Sequence, residues 1–372
     1  MKILFTGGGT GGHFYPVIAV AEAVNKIVRE KRLLPPALYY MADKPYDGRA
    51  LFDNNITFVK MPAGKLRRYF SILNVTDVFK TAFGIIKSLW KVFWIYPDVI
   101  FGKGGYASFP ALFAGKIFRI PVIIHESDSV PGRVNKWAGK FARGIALSFP
   151  EAAHYFPADK TIYTGNPVRQ EILKPAQGGG QFLNLNSDLP TILILGGSQG
   201  SKMINEAILA ILPALVEKYQ IIHQTGKLNF SEISKTSSVI LAASPNKDRY
   251  KIFDYLDNSG MSMSAGVSKL VVSRAGSTIF EIAAWGLPSI IIPIGDSDHQ
   301  TQNAFNYARG GAAVVIEEIN LTPHILLSEI ERLAGSDESL KRMREAAQKF
   351  ARLDASEIIA LKLLEIGLSH EV

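Results

Sequence analysis

One pattern occurs twice in the chain and narrows its possible folds more than any other feature: an apolar run, a glycine-rich turn, then a helical segment with one apolar face. The first copy passes from Ile3-Leu4-Phe5 through Gly7 to Gly12 into Val17, Ile18, Val20, Ala21 and Val24. The second passes from Thr191-Ile192-Leu193-Ile194-Leu195 through Gly196-Gly197-Ser198-Gln199-Gly200 into a segment from Met203 to Leu215. Unbroken apolar runs suit strands covered on both faces, the condition of a parallel sheet with helices on either side. A fainter echo links 102–138 with 273–307. Each has a glycine turn, then an apolar run (Ile120 to Ile124; Leu287 to Ile292), then a polar cluster entering a helix. Strands alternating with helices in both halves predict an α/β chain of two Rossmann-like domains.

A length of 372 residues accommodates two such domains, and two domains predict a cleft. The first is expected over 1–170 and the second over 189–344. Between them, at 171–188, Pro175, Gly178-Gly179-Gly180 and several Asn and Gln residues interrupt every hydrophobic period, which reads as a flexible linker. Residues 338–368 read as one long helical pattern, of which the part from about 345 to 372 is expected to pack back on the first domain.

The chain has no cysteine, which excludes disulfides, thiolate nucleophiles and Cys-ligated zinc, and favours a cytoplasmic setting. The apolar stretch at Met1 to Phe5 is too short for a signal-peptide core or a membrane span. Charge is uneven. Residues 1–170 carry 23 Lys and Arg against 11 Asp and Glu, whereas 171–372 carry 18 against 22. A basic first half points to a polyanionic partner, nucleic acid or anionic membrane, met by that domain. Residues 65–94 combine Lys65, Arg67, Arg68, Lys80, Lys87 and Lys91 with Phe70, Phe79, Phe83, Ile86, Trp90, Phe93 and Trp94. Lysines within it argue against a spanning helix. The stretch reads either as an interfacial surface or as a helix whose apolar face completes the core. Aliphatic residues among the basic ones, without a nucleic-acid-binding motif, make the nucleic-acid reading the poorer one.

Gly7 to Gly12 lies between a strand and a helix, where backbone amides can approach an anionic oxygen. No Gly-Lys-Ser/Thr ends the run, so it is not a P-loop. The dinucleotide spacing is met only loosely, which lowers a dehydrogenase reading. Gly196 to Gly200 occupies the equivalent place in the second half, and Gly102 with Gly104-Gly105 adds a third turn after Val99-Ile100-Phe101. Three such turns suggest diphosphate binding. His13 ends the first turn, where helix-end amides keep its imidazole neutral and able to accept a proton, or where it merely packs the helix start. Glu126 stands at the carboxyl edge of a strand, as a functional group or as a holder of a helix end. Arg274, Glu281, His299 and Gln300 follow strands or start helices of the second half, with an Arg274–Glu281 ion pair as the structural alternative.

Taken together, several motifs resemble one family over nearly the whole chain. They are Gly8-Gly9-Thr10-Gly11-Gly12-His13, Gly104-Gly105-Tyr106-Ala107-Ser108, His125-Glu126, Gly165-Asn166-Pro167-Val168-Arg169, Gly196-Gly197-Ser198-Gln199-Gly200, Ser273-Arg274-Ala275-Gly276 and His299-Gln300. In this order they resemble the MurG-type N-acetylglucosaminyltransferases of peptidoglycan synthesis. The resemblance implies a GT-B fold. It also implies UDP-N-acetylglucosamine as donor and, as acceptor, a polyprenyl-diphosphate-linked muramoyl peptide (lipid I, giving lipid II). A peripheral place at the cytoplasmic face of the membrane goes with it, as does contact with anionic lipid through Lys87, Trp90, Lys91, Phe93 and Trp94.

By the same likeness Ser198 and Arg169 hold the donor diphosphate, beside Gln199, Ser277 and Thr278. Glu281 takes the ribose, His299 and Gln300 the N-acetylglucosamine, and a backbone amide near Leu256 the uracil. Thr10, Gly11 and Gly12, with Gly104 and Gly105, border the acceptor diphosphate. His13 is the preferred general base and Glu126 the alternative. Helix-end amides and a basic side chain then serve where other transferases use a metal, so no metal and no cofactor is expected.

The chain departs from the family pattern in having Ser127-Asp128 where Gln-Asn is usual, which places the Asp128 carboxylate beside a substrate. Its 276–281 segment is one residue shorter than usual and its 256–261 segment longer. Two other functions stay open at this point: a GT-B transferase with another lipid acceptor, and a non-catalytic nucleotide-sugar-binding protein.

Overall fold

The structure, a computed structural model, describes residues 1–64, 73–186, 188–197 and 199–369. Its contacts divide the chain into two units: unit 1 is Met1–Arg169 together with the chain from Arg352 on, and unit 2 is Gln170–Ala351.

Unit 1 is built on strands β1 (Lys2–Thr6), β2 (Ala37–Ala42), β3 (Ile56–Lys60), β4 (Val99–Gly102), β5 (Val122–Glu126), β6 (Gly144–Leu147) and β7 (Thr161–Tyr163). They form one sheet in the order β3-β2-β1-β4-β5-β6-β7, every pair parallel. Alternation along β1 explains the two cores. Ile3 and Phe5 join a cluster with Val17, Val24, Ile359 and Leu363 on one face. Leu4 joins Ile100, Leu112, Ile124 and Val92 on the other. Burying each such side chain stabilises the fold by about 1.5–3 kcal/mol.

Unit 2 repeats the plan with β8 (Thr191–Leu195), β9 (Gln220–Gln224), β10 (Tyr250–Phe253), β11 (Ser268–Ser273), β12 (Ser289–Ile291) and β13 (Ala313–Val315). The order is β10-β9-β8-β11-β12-β13, again all parallel. In both sheets the order reverses beside the first strand, between β1 and β4 and between β8 and β11. Open parallel sheets bind ligands outside the strand carboxyl ends at such a point. The glycine turns after β1, β4 and β8 all lie there.

Two segments differ from their expected form. The 171–188 stretch is anchored within unit 2: Trp285 Nε1 donates to Ile172 O at 2.6 Å, Ala176 N to Ser262 O at 3.0 Å, and Ser262 Oγ to Lys174 O at 2.8 Å. The pattern over 338–368 is two helices, Asp337–Phe350 and Ala355–Leu368. The first ends in unit 2. The second lies against the helix Gly11–Glu30 of unit 1 and contributes Ile359, Ala360 and Leu363 to its core.

Candidate active site

In unit 1 the turn after β1 runs into the helix Gly11–Glu30, whose N-cap Thr10 makes no side-chain cap. Its hydroxyl is spent instead on His13, with Thr10 Oγ1 and His13 Nδ1 2.9 Å apart. Helical bonding begins with His13 N and Phe14 N, both donating to Thr10 O. The amides of Gly11 and Gly12 precede it, where an anion can be received. Gly105, at φ 78°, lies against the other side of the imidazole: a Cβ there would stand 3.4 Å from His13 Nε2. Glycine there spares that nitrogen a side-chain contact. Gly104, at φ 85°, packs so closely on Asn135 that a Cβ would stand 2.7 Å from its Nδ2. Burial first, then the Lys103 ammonium, pull the His13 pKa down to about 4 against the opposing pull of Asp128. The imidazole is neutral at physiological pH.

Glu126, weighed above as an alternative base, is buried and fully engaged. Its Oε1 accepts from Asp128 N at 3.0 Å, and its Oε2 from Gly132 N at 3.1 Å and Asn135 Nδ2 at 2.9 Å. Burial and Asp128 raise its pKa, while these donors and Lys103 oppose them. Its geometry is that of a brace for the 127–132 turn. His125 is completely buried, with Nε2 3.0 Å from Gly165 O, and burial holds it neutral. Arg169, expected at the donor diphosphate, lies in unit 1 with its guanidinium 3.6 Å over the Tyr15 ring.

In unit 2 the turn after β8 is fixed by glycine. Gly200 has φ 79°, and a Cβ there would fall 2.0 Å from Thr225 O. Gln199 is exposed; Ser198 lies outside the described residues. Gln224, at the end of β9, donates to Gly197 O at 3.3 Å and accepts from Leu256 N at 2.9 Å. The Leu256 amide, near which uracil is expected, thus meets the Gln224 side chain in this structure. After β11, Ser277 caps the helix Thr278–Trp285 without a side-chain bond, and Glu281 sits half-buried in its first turn. Arg274 does not pair with Glu281. Its Nη2 meets Glu318 Oε1 at 2.5 Å and its Nη1 donates to Ile292 O and Pro293 O, each at 3.2 Å. Glu318 Oε2 accepts from Gly295 N at 2.8 Å, so the pair braces the turn before the helix Asp298–Arg309. His299 and Gln300 stand in that helix's first turn, half-buried, with Gln300 Oε1 accepting from Ile294 N at 3.2 Å.

A cavity of about 640 Å³ also opens in unit 2, lined by Met203, Gly295, Asp296, Asp298, Glu317 and Glu318 among others. Asp296, Asp298 and Glu317 add negative charge there beyond the Arg274-paired Glu318, which disfavours a diphosphate. Among the described residues no group of three or more His, Asp or Glu side chains is placed to hold a metal ion.

The helix Leu73–Ile95 turns Gly84, Ser88 and Val92 inward and its aromatic side out. Trp90 and Trp94 are 63% and 65% exposed, Phe83 and Phe93 more than half exposed. Lys87 is half-buried and Lys91 exposed beside them. The aromatic side is therefore surface, while Val92 and Leu89 of the same helix pack into the core, so each reading describes one face. Lys65, Arg67, Arg68 and Phe70 lie outside the described residues.

The glycosyltransferase family 28 N-terminal domain matches residues 3–147 and its C-terminal domain matches 191–359. The chain belongs to this family. A Treponema denticola protein named "UDP-N-acetylglucosamine--N-acetylmuramyl-(pentapeptide) pyrophosphoryl-undecaprenol N-acetylglucosamine transferase" is 36% identical over 96% of this chain and 96% of its own. A Halothermothrix orenii protein of the same name is 36% identical over 95% of each. Among solved structures, Acinetobacter baumannii MurG is similar with a TM-score of 0.72 at 25% identity, over 98% of this chain and 99% of that one. A Neisseria meningitidis UDP-GlcNAc 2-epimerase shares the fold, with a TM-score of 0.67 at 16% identity over 98% of this chain and all of its own. The family 28 members so named are the MurG-type transferases whose motifs the sequence carries.

Sequence reasoning passed over Lys103, Asn135, Gln224 and Glu318. A lysine between two glycines at a strand end was the one signal available for Lys103. Asn135 shows itself through Glu126 and the His125 carbonyl on the preceding strand, Gln224 and Glu318 through partners farther off in sequence.

Proposed function

We infer that the chain transfers N-acetylglucosamine from UDP-N-acetylglucosamine to the 4-hydroxyl of undecaprenyl-diphosphate-linked muramoyl pentapeptide, converting lipid I to lipid II for peptidoglycan synthesis. The observation that carries this reading is identity of 36% across 96% of the chain with a transferase of that name.

The residue roles are part of the proposal and rest on the family resemblance, with the local geometry of each turn beside it. Thr10, Gly11 and Gly12 present the uncapped helix start of unit 1 to the acceptor diphosphate. With His13 Nδ1 donating its hydrogen to Thr10 Oγ1, Nε2 holds the lone pair that takes the proton from the muramoyl 4-hydroxyl. That oxygen bonds to the anomeric carbon from the face opposite the UDP oxygen, whose bond breaks, so the configuration inverts. The developing charge on UDP is met in unit 2 by the Gly196–Gly200 turn with Ser198 and by the uncapped helix start at Ser277-Thr278. Glu281 binds the ribose, and His299 and Gln300 the sugar.

The test is UDP release from UDP-N-acetylglucosamine with a purified lipid I analogue: stoichiometric release with a β-1,4-linked product is expected. Donor binding without release would leave a non-catalytic binding protein, and turnover with a different lipid alone would change the acceptor.

No helix among the described residues is long and apolar enough to cross a membrane. The exposed aromatics of the helix Leu73–Ile95, flanked by Lys87 and Lys91, are proposed to seat the enzyme at the cytoplasmic face of the cell membrane. Each lysine near an anionic surface contributes about 1 kcal/mol. Charge reversal at Lys87 and Lys91 is therefore expected to lower flotation with anionic liposomes more than tenfold, and unchanged flotation would refute this contact.

A further inference from the structure

We propose that Asn205 and His223 are positioning residues of the transfer reaction: with Tyr250 they form a one-way chain of hydrogen bonds that pins the Thr225 carbonyl, on which the donor-diphosphate turn is seated. This rests on the reading of the Gly196–Gly200 turn as the place of that diphosphate and adds residues that reading does not use.

Asn205, His223 and Thr225 are completely buried in unit 2, where a polar group needs a partner. Asn205 lies one turn into the helix Lys202–Lys218, which follows the glycine turn directly, while His223 is near the end of β9 and Thr225 just past it. Asn205 Nδ2 donates to Thr225 O at 3.1 Å, which leaves Asn205 Oδ1 facing His223 Nε2 at 3.0 Å. An amide oxygen only accepts, so Nε2 carries the ring hydrogen. Burial pulls the His223 pKa down to about 3, so the ring is neutral and Nδ1 keeps a lone pair. Tyr250 Oη, 2.8 Å away on the neighbouring β10, donates to it. Every hydrogen in the chain therefore points the same way, from β10 through β9 to the Thr225 carbonyl. Reversing one link would set like groups face to face in the core.

The carbonyl is fixed where the turn meets it. Asn229 Nδ2 also donates to Thr225 O, at 3.2 Å, which fills both lone pairs. Thr225 N and Oγ1 both donate to Phe253 O, at 2.9 and 3.2 Å. Gly200 packs on this carbonyl, and the next residue along, Gly226, packs on the turn itself: a Cβ at Gly226 would stand 2.5 Å from Gln199 O and from Gly200 Cα. The amides of the turn thus take their position from the end of β9. An apolar side chain at 205 would fill the space but leave the carbonyl to Asn229 alone, so what the polar pair adds is orientation.

The experiment titrates UDP into the full-length protein by calorimetry and measures KM separately for UDP-N-acetylglucosamine and for a lipid I analogue. Asn205→Ala is expected to weaken UDP binding about tenfold, on the scale of one buried hydrogen bond. The KM for UDP-N-acetylglucosamine rises in step while that for the acceptor analogue stays. In a Gly200→Ala background, where the turn has already left its seat, the same change costs less than about threefold. UDP binding within about twofold of wild type in folded Asn205→Ala, or the full loss in both backgrounds, overturns the proposal and leaves the donor reading intact. A wild-type protein that binds no UDP removes the donor reading and the proposal with it. Should Asn205→Ala fail to fold, His223 decides. Weaker binding in His223→Phe that returns in His223→Gln, whose amide can again donate to Asn205, supports the proposal, and equal binding in the two overturns it.

Discussion

His13→Ala lowers kcat by about 10²- to 10⁴-fold at saturating donor and acceptor, the usual contribution of a positioned general base. The KM for UDP-N-acetylglucosamine changes little, because His13 belongs to unit 1 and the turns proposed for the donor to unit 2. The wild-type pH profile carries a sign as well. With its pKa pulled down to about 4, His13 loses its base form only as pH falls through that value. An unperturbed histidine would lose it near 6.5. The acid limb of kcat/KM from this group therefore lies below pH 5. Turnover of His13→Ala within threefold of wild type would remove His13 from the chemistry.

Gly200→Ala is expected to weaken UDP binding by at least about 100-fold, or about 2.7 kcal/mol. Its Cβ would fall 2.0 Å from Thr225 O and 2.6 Å from Asn229 Nδ2, at a φ of 79°. The carbonyl it strikes is held: Asn205 Nδ2 donates to it at 3.1 Å, and Thr225 N is bonded to Phe253 O at 2.9 Å. The glycine turn must move instead, taking the amides meant for the diphosphate with it. Gly197→Ala is the control. It has φ 83° but nothing within 4 Å of its Cβ, so only backbone strain of about 1–2 kcal/mol is added. Isothermal titration with UDP measures both. Equal losses for the two variants would show that the turn's exact seat on Thr225 is immaterial.

The two parallel sheets were readable because strands buried on both faces leave continuous apolar runs such as Thr191 to Leu195, and glycine turns punctuate them. The turn from Thr10 to His13 was readable because strand, glycines and helix follow one another directly. Side-chain partners far apart in sequence were not. The Arg274–Glu281 pair, offered by spacing as one of two alternatives, does not form; Arg274 binds Glu318, 44 residues away. At Glu126 the sequence left two readings open, functional group or holder of a helix end, and its bonds to Asn135 and to the Asp128 and Gly132 amides show how it is held locally. The break after Phe350 escaped detection because apolar spacing continues across it. Arg352 leaves the helical pattern to pack against Tyr163, with its guanidinium 4.9 Å from the ring centroid. The linker reading at 171–188 failed for a related reason: polar composition hid anchors supplied by Trp285 and Ser262.

The central claim is a division of labour, with the nucleotide of the donor held by unit 2 and the acceptor diphosphate by unit 1. A crystal structure with UDP measures it directly. The account predicts the diphosphate against the Gly196–Gly200 turn and the Ser277-Thr278 helix start, with the ribose on Glu281. UDP seated instead at the Thr10–Gly12 turn of unit 1 would contradict it.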